Sequence, residues 1–231
     1  VQATRPLLDC AVFETAAGQS PSEIRTQAVV LAYSPDGSML AAGDAEGTAR
    51  VWDVSGLKEI AVLRSPSSRS RIACLAFGRD PLVRRDAGSS TRGWVLAVGQ
   101  RGGAIAVWDL NRLMPRSFCR GSTWTVWALA FGPDGLMLAS AGLGHARLWD
   151  VATGRAQMVM DLNGFGQRLT LALDHRGRRL VCGGHRDRDT NAAPPNIGLW
   201  DIEPHRGIDA LRGLSCAARK VWVSKDSQRL A

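Results

Sequence analysis

Short apolar runs, broken by turns rich in Gly, Pro and Asp, recur along most of the chain. The stretch 127–151, WALAFGPDGLMLASAGLGHARLWDV, shows the pattern most plainly. A first run, 127–131, ends at Gly132-Pro133-Asp134-Gly135, where Pro presets φ and Gly tolerates φ > 0. A second run, 136–141, ends at Gly142-Leu143-Gly144, and a third, 146–149, ends at Asp150. The Asp150 carboxylate stands where it can accept N–H groups of the turn that follows. Runs this short, joined by turns this tight, predict an antiparallel meander of strands rather than helices.

The same pattern is written several times. Residues 29–53 read VVLAYSPDGSMLAAGDAEGTARVWD; residues 72–77 and 94–109 read IACLAF and WVLAVGQRGGAIAVWD around an insertion. Residues 169–201 hold a fourth copy with a second insertion, and 220–231 (KVWVSKDSQRLA) begin a fifth. Four copies close on a Trp-Asp pair: Trp52-Asp53, Trp108-Asp109, Trp149-Asp150 and Trp200-Asp201, spaced 56, 41 and 51 positions apart. In each third run the residues one and three before Trp are aliphatic: Val51/Ala49, Val107/Ile105, Leu148/Ala146 and Leu199/Ile197. A strand alternates its faces, so the aliphatic pair packs on one side and the indole on the other. Runs apolar at nearly every position mark strands buried on both faces.

These copies resemble the tryptophan–aspartate (WD) repeat, with a period of about 40–45 residues. The resemblance implies an all-β fold, a β-propeller built of four-stranded antiparallel blades. This chain would hold four blades plus part of a fifth. The blades fall at 27–66, 67–120, 121–163 and 164–213, with a truncated fifth at 214–231. Residues 1–26 do not fit the repeat; 7–13 could be the outer strand of a preceding blade or a closing strand. The strands of the first blade are expected at 28–34, 38–43, 48–53 and 58–63. Propellers of the family usually close with six to eight blades, and an unclosed ring leaves bare sheet edges. The chain is therefore expected to be a piece of a longer protein, or one whose ring another chain completes. The acidic position six before Trp is kept only as Glu46, and the hydroxyl of the second strand as Ser140, with Ala42 in its place in the first copy. The buried hydrogen-bond network typical of the family is thus expected to be largely absent.

Composition adds limits. The chain has 45% hydrophobic and 22% charged residues, as in a globular protein, and no apolar run long enough to span a bilayer. Five Cys (Cys10, Cys74, Cys119, Cys182, Cys216) lack C-x-x-C spacing, which favours a reducing, cytoplasmic setting over a disulfide framework. The formal charge is +8, and all of its 29 basic side chains except Lys58, Lys220 and Lys225 are Arg. An anionic partner such as nucleic acid is one account. The Arg residues are scattered and no aromatic platform lies between them in sequence, so a general preference for Arg is favoured.

Little chemistry is written in the chain. Residues 187–191 (DRDTN) start like a calcium loop, but Ala192 stands at its required Gly and Gly198 at its closing Glu. His175, His185 and His205 have no metal-ligand spacing with Cys, and neither a phosphate loop nor a nucleophile elbow is present. No catalytic residue, cofactor or metal is expected. The expected function is a non-catalytic protein–protein interaction scaffold that receives a protein or peptide on one propeller face. The alternative is a sensor or autoinhibitory propeller of a larger signalling NTPase or protease; a propeller enzyme and a nucleic-acid binder are less favoured. The family implies that loops joining second and third strands lie on the face most used for binding. On that analogy the candidate contacts are Glu46, Trp124, His145, Arg186 and Asp187. The insertion at 185–196 is the candidate contact loop; that at 79–92 lies in a first hairpin, at the opposite end.

Overall fold

The computed structural model describes residues 28–64, 70–80, 93–121, 124–163, 165–166, 168–185, 197–202 and 209–211. They form sixteen strands and no helix. The first sheet holds β1 (Ala28–Tyr33), β2 (Met39–Asp44), β3 (Thr48–Asp53) and β4 (Lys58–Arg64). The second holds β5 (Ile72–Arg79), β6 (Trp94–Gln100), β7 (Ile105–Asp109) and β8 (Met114–Cys119). The third holds β9 (Val126–Phe131), β10 (Met137–Gly142), β11 (His145–Asp150) and β12 (Ala156–Asp161). The fourth holds β13 (Arg168–Leu173), β14 (Arg179–His185), β15 (Ile197–Asp201) and β16 (Asp209–Leu211). Each sheet is an antiparallel meander of strands in chain order. The fold is all-β, built of four-stranded blades, as the apolar pattern predicts. The segments 1–26 and 214–231 lie outside the described residues.

Inner strands of successive sheets touch: β1 meets β5, β5 meets β9 and β9 meets β13. The sheets therefore stack side by side about their first strands, and the fourth strands lie outermost. Most of β12 is exposed. By contrast, β6 is buried at every position, because both of its faces are covered. Its Trp94, Leu96 and Val98 pack back on the first sheet with Ala106 and Trp108. Val95 and Ala97 pack forward on the third sheet with Ile105, Val107 and Trp149. The rule holds again one step on: Ala146 and Leu148 pack forward against Leu171, Leu180 and Trp200. So Trp108, Trp149 and Trp200 turn back to the preceding blade, and the aliphatic pairs of the first three blades turn forward to the next. The buried side chains form a separate cluster at each such junction.

Polar contacts stitch the same junctions. The Ser117 hydroxyl donates to the Val151 carbonyl at 2.7 Å, and the Cys74 thiol to the Val126 carbonyl at 3.2 Å. Burial pushes the Cys74 thiol up, and those of Cys119 and Cys182 up to about 12. All three are free and buried, small hydrophobes rather than nucleophiles. Within sheets, Arg50 pairs with Glu59 at 2.7 Å and Arg116 with Asp80 at 2.9 Å, both carboxylates being buried.

Two expectations need adjustment. Arg79, assigned to the insertion, is the last residue of β5, where it pairs with Trp94. Its guanidinium lies 4.6 Å from the Trp94 ring, which holds it to the sheet. The network of the family is not wholly missing either. Trp149 Nε1 donates to Ser140 Oγ at 2.8 Å in the third blade. Asp44, a position the Glu46 comparison overlooked, takes up the work of clamping its turn, as the site geometry shows.

Candidate functional site

The meander sends its turns to two ends. In an antiparallel meander the strand ends that carry the first and third turns lie at one end of the sheet, and those that carry the second turn and the links lie at the other. The first end is held by short Asp-capped turns. Asp36 Oδ1 accepts the Ser38 N–H at 3.1 Å and Asp134 Oδ1 the Leu136 N–H at 3.0 Å. In the first three sheets the Asp of the Trp-Asp pair serves the third turn. Asp53 Oδ1 accepts Ser55 N–H at 3.2 Å, Asp109 Oδ1 accepts Asn111 N–H at 2.9 Å, and Asp150 Oδ1 accepts Thr153 N–H at 2.7 Å. At Asp150 the Thr153 hydroxyl and N–H favour the charged form and hold it below the usual carboxylate range. At Asp36 burial acts to raise the pKa, but bonds from Ser34 and Ser38 outweigh it and the net shift is downward.

The opposite end collects the candidate contacts. In the first sheet Asp44 is buried, and its Oδ1 accepts N–H groups of Glu46 at 2.9 Å and Thr48 at 2.8 Å. The turn is thereby fixed and the Glu46 side chain is exposed at its tip. In the second sheet Gly103 N–H donates to Gln100 O at 3.1 Å, with Gly103 at a φ of 83° that a glycine adopts without strain. Arg101 projects from this turn, and its N–H donates to Arg71 O at 2.9 Å at the head of β5. Trp124, in the link from the second sheet to the third, is 59% exposed. Next to it the Thr125 hydroxyl donates to Arg101 O at 3.1 Å. In the third sheet His145 opens β11 opposite Asp161 and is half-buried.

Glu46, Trp124 and His145 thus share one end, on the first sheet, the link into the third sheet and the third sheet itself. Arg186 and Asp187 lie outside the described residues. Sequence reading missed Asp44, Arg71 and Arg101. Arg101 was accessible in principle, because it stands one place before Gly102, the position matched to Glu46. Arg71 carries no such mark, being brought in only by the pairing of strands. Exposed Arg64, Arg71, Arg101, Arg120 and Arg168 face exposed Glu46 and Asp161 at this end, so its described charge is positive. Among the described residues no group of three His, Cys, Asp or Glu could hold a metal ion. No helix among them is long and apolar enough to cross a membrane.

Blades of four antiparallel strands packed about their first strands define a β-propeller segment. The family model described as "WD domain, G-beta repeat" matches residues 23–53 and 114–150. The matched stretches are WD40 repeats, and the four blades share one build. It is similar to apoptotic protease-activating factor 1 of Homo sapiens, with 30% identity over 139 residues, 57% of this chain and 10% of that protein. The Rattus norvegicus protein of the same name is 30% identical over 142 residues, 58% of this chain and 10% of its own length. The chain therefore spans about a tenth of these relatives. Among solved structures, a chain of the mitotic checkpoint complex aligns with a TM-score of 0.61 and 23% identity, covering 76% of this chain and 50% of that one. The computationally designed Ika8 protein aligns with a TM-score of 0.61 and 22% identity, covering 84% and 52%. At such identities the structural likeness speaks for the fold alone.

Proposed function

We propose that this chain is a non-catalytic scaffold on which a protein partner docks, at the end that carries the second turns. One observation carries the reading. The turns at that end are clamped, by the Asp44 carboxylate and by the Arg71–Arg101–Thr125 chain of bonds, onto blades that pack through a buried cluster at each junction. A surface set in place before binding loses little order when it binds. Propellers of this family generally bind rather than catalyse, which supports the same reading. Glu46, Trp124 and His145 are the proposed contacts, with Arg186 and Asp187 of the 185–196 insertion placed there by sequence alone. The free buried thiols support a cytoplasmic setting. A photo-crosslinking residue placed in turn at Glu46, His145, Asp36 and His175 tests the proposal. Crosslinks to a polypeptide from the first two sites and none from the last two are expected; crosslinks confined to Asp36 and His175 would overturn it.

A second reading rests on the partial likeness to apoptotic protease-activating factor 1. In it the propeller is a sensor or autoinhibitory module of a larger signalling protein. Joining the propeller to, and deleting it from, the full-length protein decides the point: deletion that raises basal activity supports it, and unchanged activity overturns it.

We also infer that the first blade's open face takes a further blade, from the rest of the protein or from another chain. Leu31 and Tyr33 of β1 are 63% and 62% exposed. Strand pairing makes them equivalent to Leu75 and Phe77, Leu129 and Phe131, and Leu171 and Leu173. Each of those later pairs packs against the blade before it.

A further inference from the structure

The step between the second and third blades, where Arg71, Arg101 and Trp124 meet, has chemistry that the family pattern does not account for. Arg101 N–H bonds to Arg71 O at 2.9 Å, and Arg101 O receives the Thr125 hydroxyl at 3.1 Å. Three chain segments far apart in sequence are thus tied at one point: the head of β5, the β6–β7 turn and the link into β9. Both arginines are exposed, and Trp124 beside Thr125 is 59% exposed. The ion pairs Arg50–Glu59, Arg112–Asp109 and Arg116–Asp80 lie elsewhere. The exposed acids of this end among the described residues, Glu46 and Asp161, sit on the neighbouring first blade and on the outer strand of the third.

We propose that this ledge docks an acidic segment of a protein partner, its carboxylates on Arg71 and Arg101 and an apolar side chain on the Trp124 indole. The proposal rests on the reading that this end is the protein-binding end, and gives its partner a chemistry. Guanidinium groups present a planar fork that fits a carboxylate with two parallel hydrogen bonds. An exposed indole offers a large flat area to desolvate, and Trp and Arg are the residue types that most often dominate binding energy at interfaces. These two bonds hold the segments that bear the three side chains in register, so part of the cost of ordering is met in folding. A nucleic acid fits less well. Single-strand binding needs successive stacking surfaces along a basic track, and Trp124 is the one exposed aromatic side chain among the described residues at this end.

The test uses a short fluorescein-labelled glutamate-rich peptide with one central leucine, read by anisotropy on the whole chain. Three probes are compared: this peptide, its glutamine counterpart, and a single-stranded oligonucleotide of equal charge. The Arg71→Glu/Arg101→Glu and Trp124→Ala variants are set against Arg176→Glu/Arg178→Glu, which changes the net charge equally at the opposite end. All four substituted arginines are exposed, so melting temperatures stay close to that of the unsubstituted chain. The acidic peptide binds, the glutamine peptide does not, and binding weakens roughly tenfold or more in either ledge variant while the control stays within about twofold. Equal weakening in ledge and control variants means mere net charge and overturns the proposal. So does tighter binding of the oligonucleotide, or undiminished peptide binding in Trp124→Ala. If ledge variants have no effect but crosslinks from Glu46 and His145 persist, the ledge is refuted and the binding end stands. Loss of those crosslinks refutes the broader reading instead.

Discussion

At the scale of single residues, Trp149 shows why one indole defines a repeat. It is fully buried, facing the second blade, while Ala146 and Leu148 of its strand face the fourth. Its Nε1 reaches Ser140 Oγ, so the one polar atom carried into the junction is satisfied. Removing the ring leaves a cavity between blades, and Trp149→Ala is expected to cost roughly 3–5 kcal/mol. Ser140→Ala leaves the ring in place but orphans its N–H, at a cost of about 1–3 kcal/mol. Urea titration of both variants checks the order; a Ser140→Ala loss equal to that of Trp149→Ala means that packing is not what the indole supplies. The sequence showed Trp149 and Ser140 as members of one copy. That they bond is a product of strand register, which pairs Leu138 with Trp149 and Ser140 with Arg147.

At the scale of elements, the turns carry much of the specificity. Asp150 caps the third turn of its blade in its ionised form, with its pKa held below the ordinary 3.8. A folded-state pKa below the unfolded one adds stability above the unfolded value and loses it as pH falls through the folded one. The stability gap between the native chain and Asp150→Asn is therefore widest near neutral pH and closes below about pH 4. A gap that stays constant down to pH 2, measured by denaturation at each pH, would show the charge to be irrelevant. Glycines in the first turns look alike in sequence and differ in the fold. Gly37 and Gly135 have φ values of 72° and 71°. A Cβ on Gly37 meets nothing within 4 Å, whereas one on Gly135 collides with the Arg79 carbonyl oxygen of the preceding blade. Gly37→Ala should cost about 1–2 kcal/mol from backbone strain alone. Gly135→Ala should cost about 1–3 kcal/mol more, because the blades must shift apart. Equal melting temperatures for the two variants would exclude that close approach.

At the scale of the whole molecule, the arc of blades is asymmetric. Leu31 and Tyr33 repeat the sequence logic of Phe77, Phe131 and Leu173, yet they stand in solvent. Tyr33 is the chain's one tyrosine, which makes it a reporter. In the proposed closed assembly it is expected to resist nitration, and in the isolated chain to react readily. Equal reactivity in both forms would rule out a blade on that face. The same scale decides which residues share the proposed binding end, since Glu46, Trp124 and His145 come to one end by the stacking of blades rather than by any local motif.

The sequence alone determined the strands and their grouping, because apolar alternation, Gly-Pro-Asp turns and the Trp-Asp endings are local in cause. It also determined which face of each third strand bears the indole, since a strand permits only two. Tertiary structure decided what those faces meet, and with it the exposure of Tyr33, the crowding of Gly135 and the Trp149–Ser140 bond. It also decided that Arg71, Arg101 and Trp124 share one ledge, for contacts between blades join residues that no local periodicity relates.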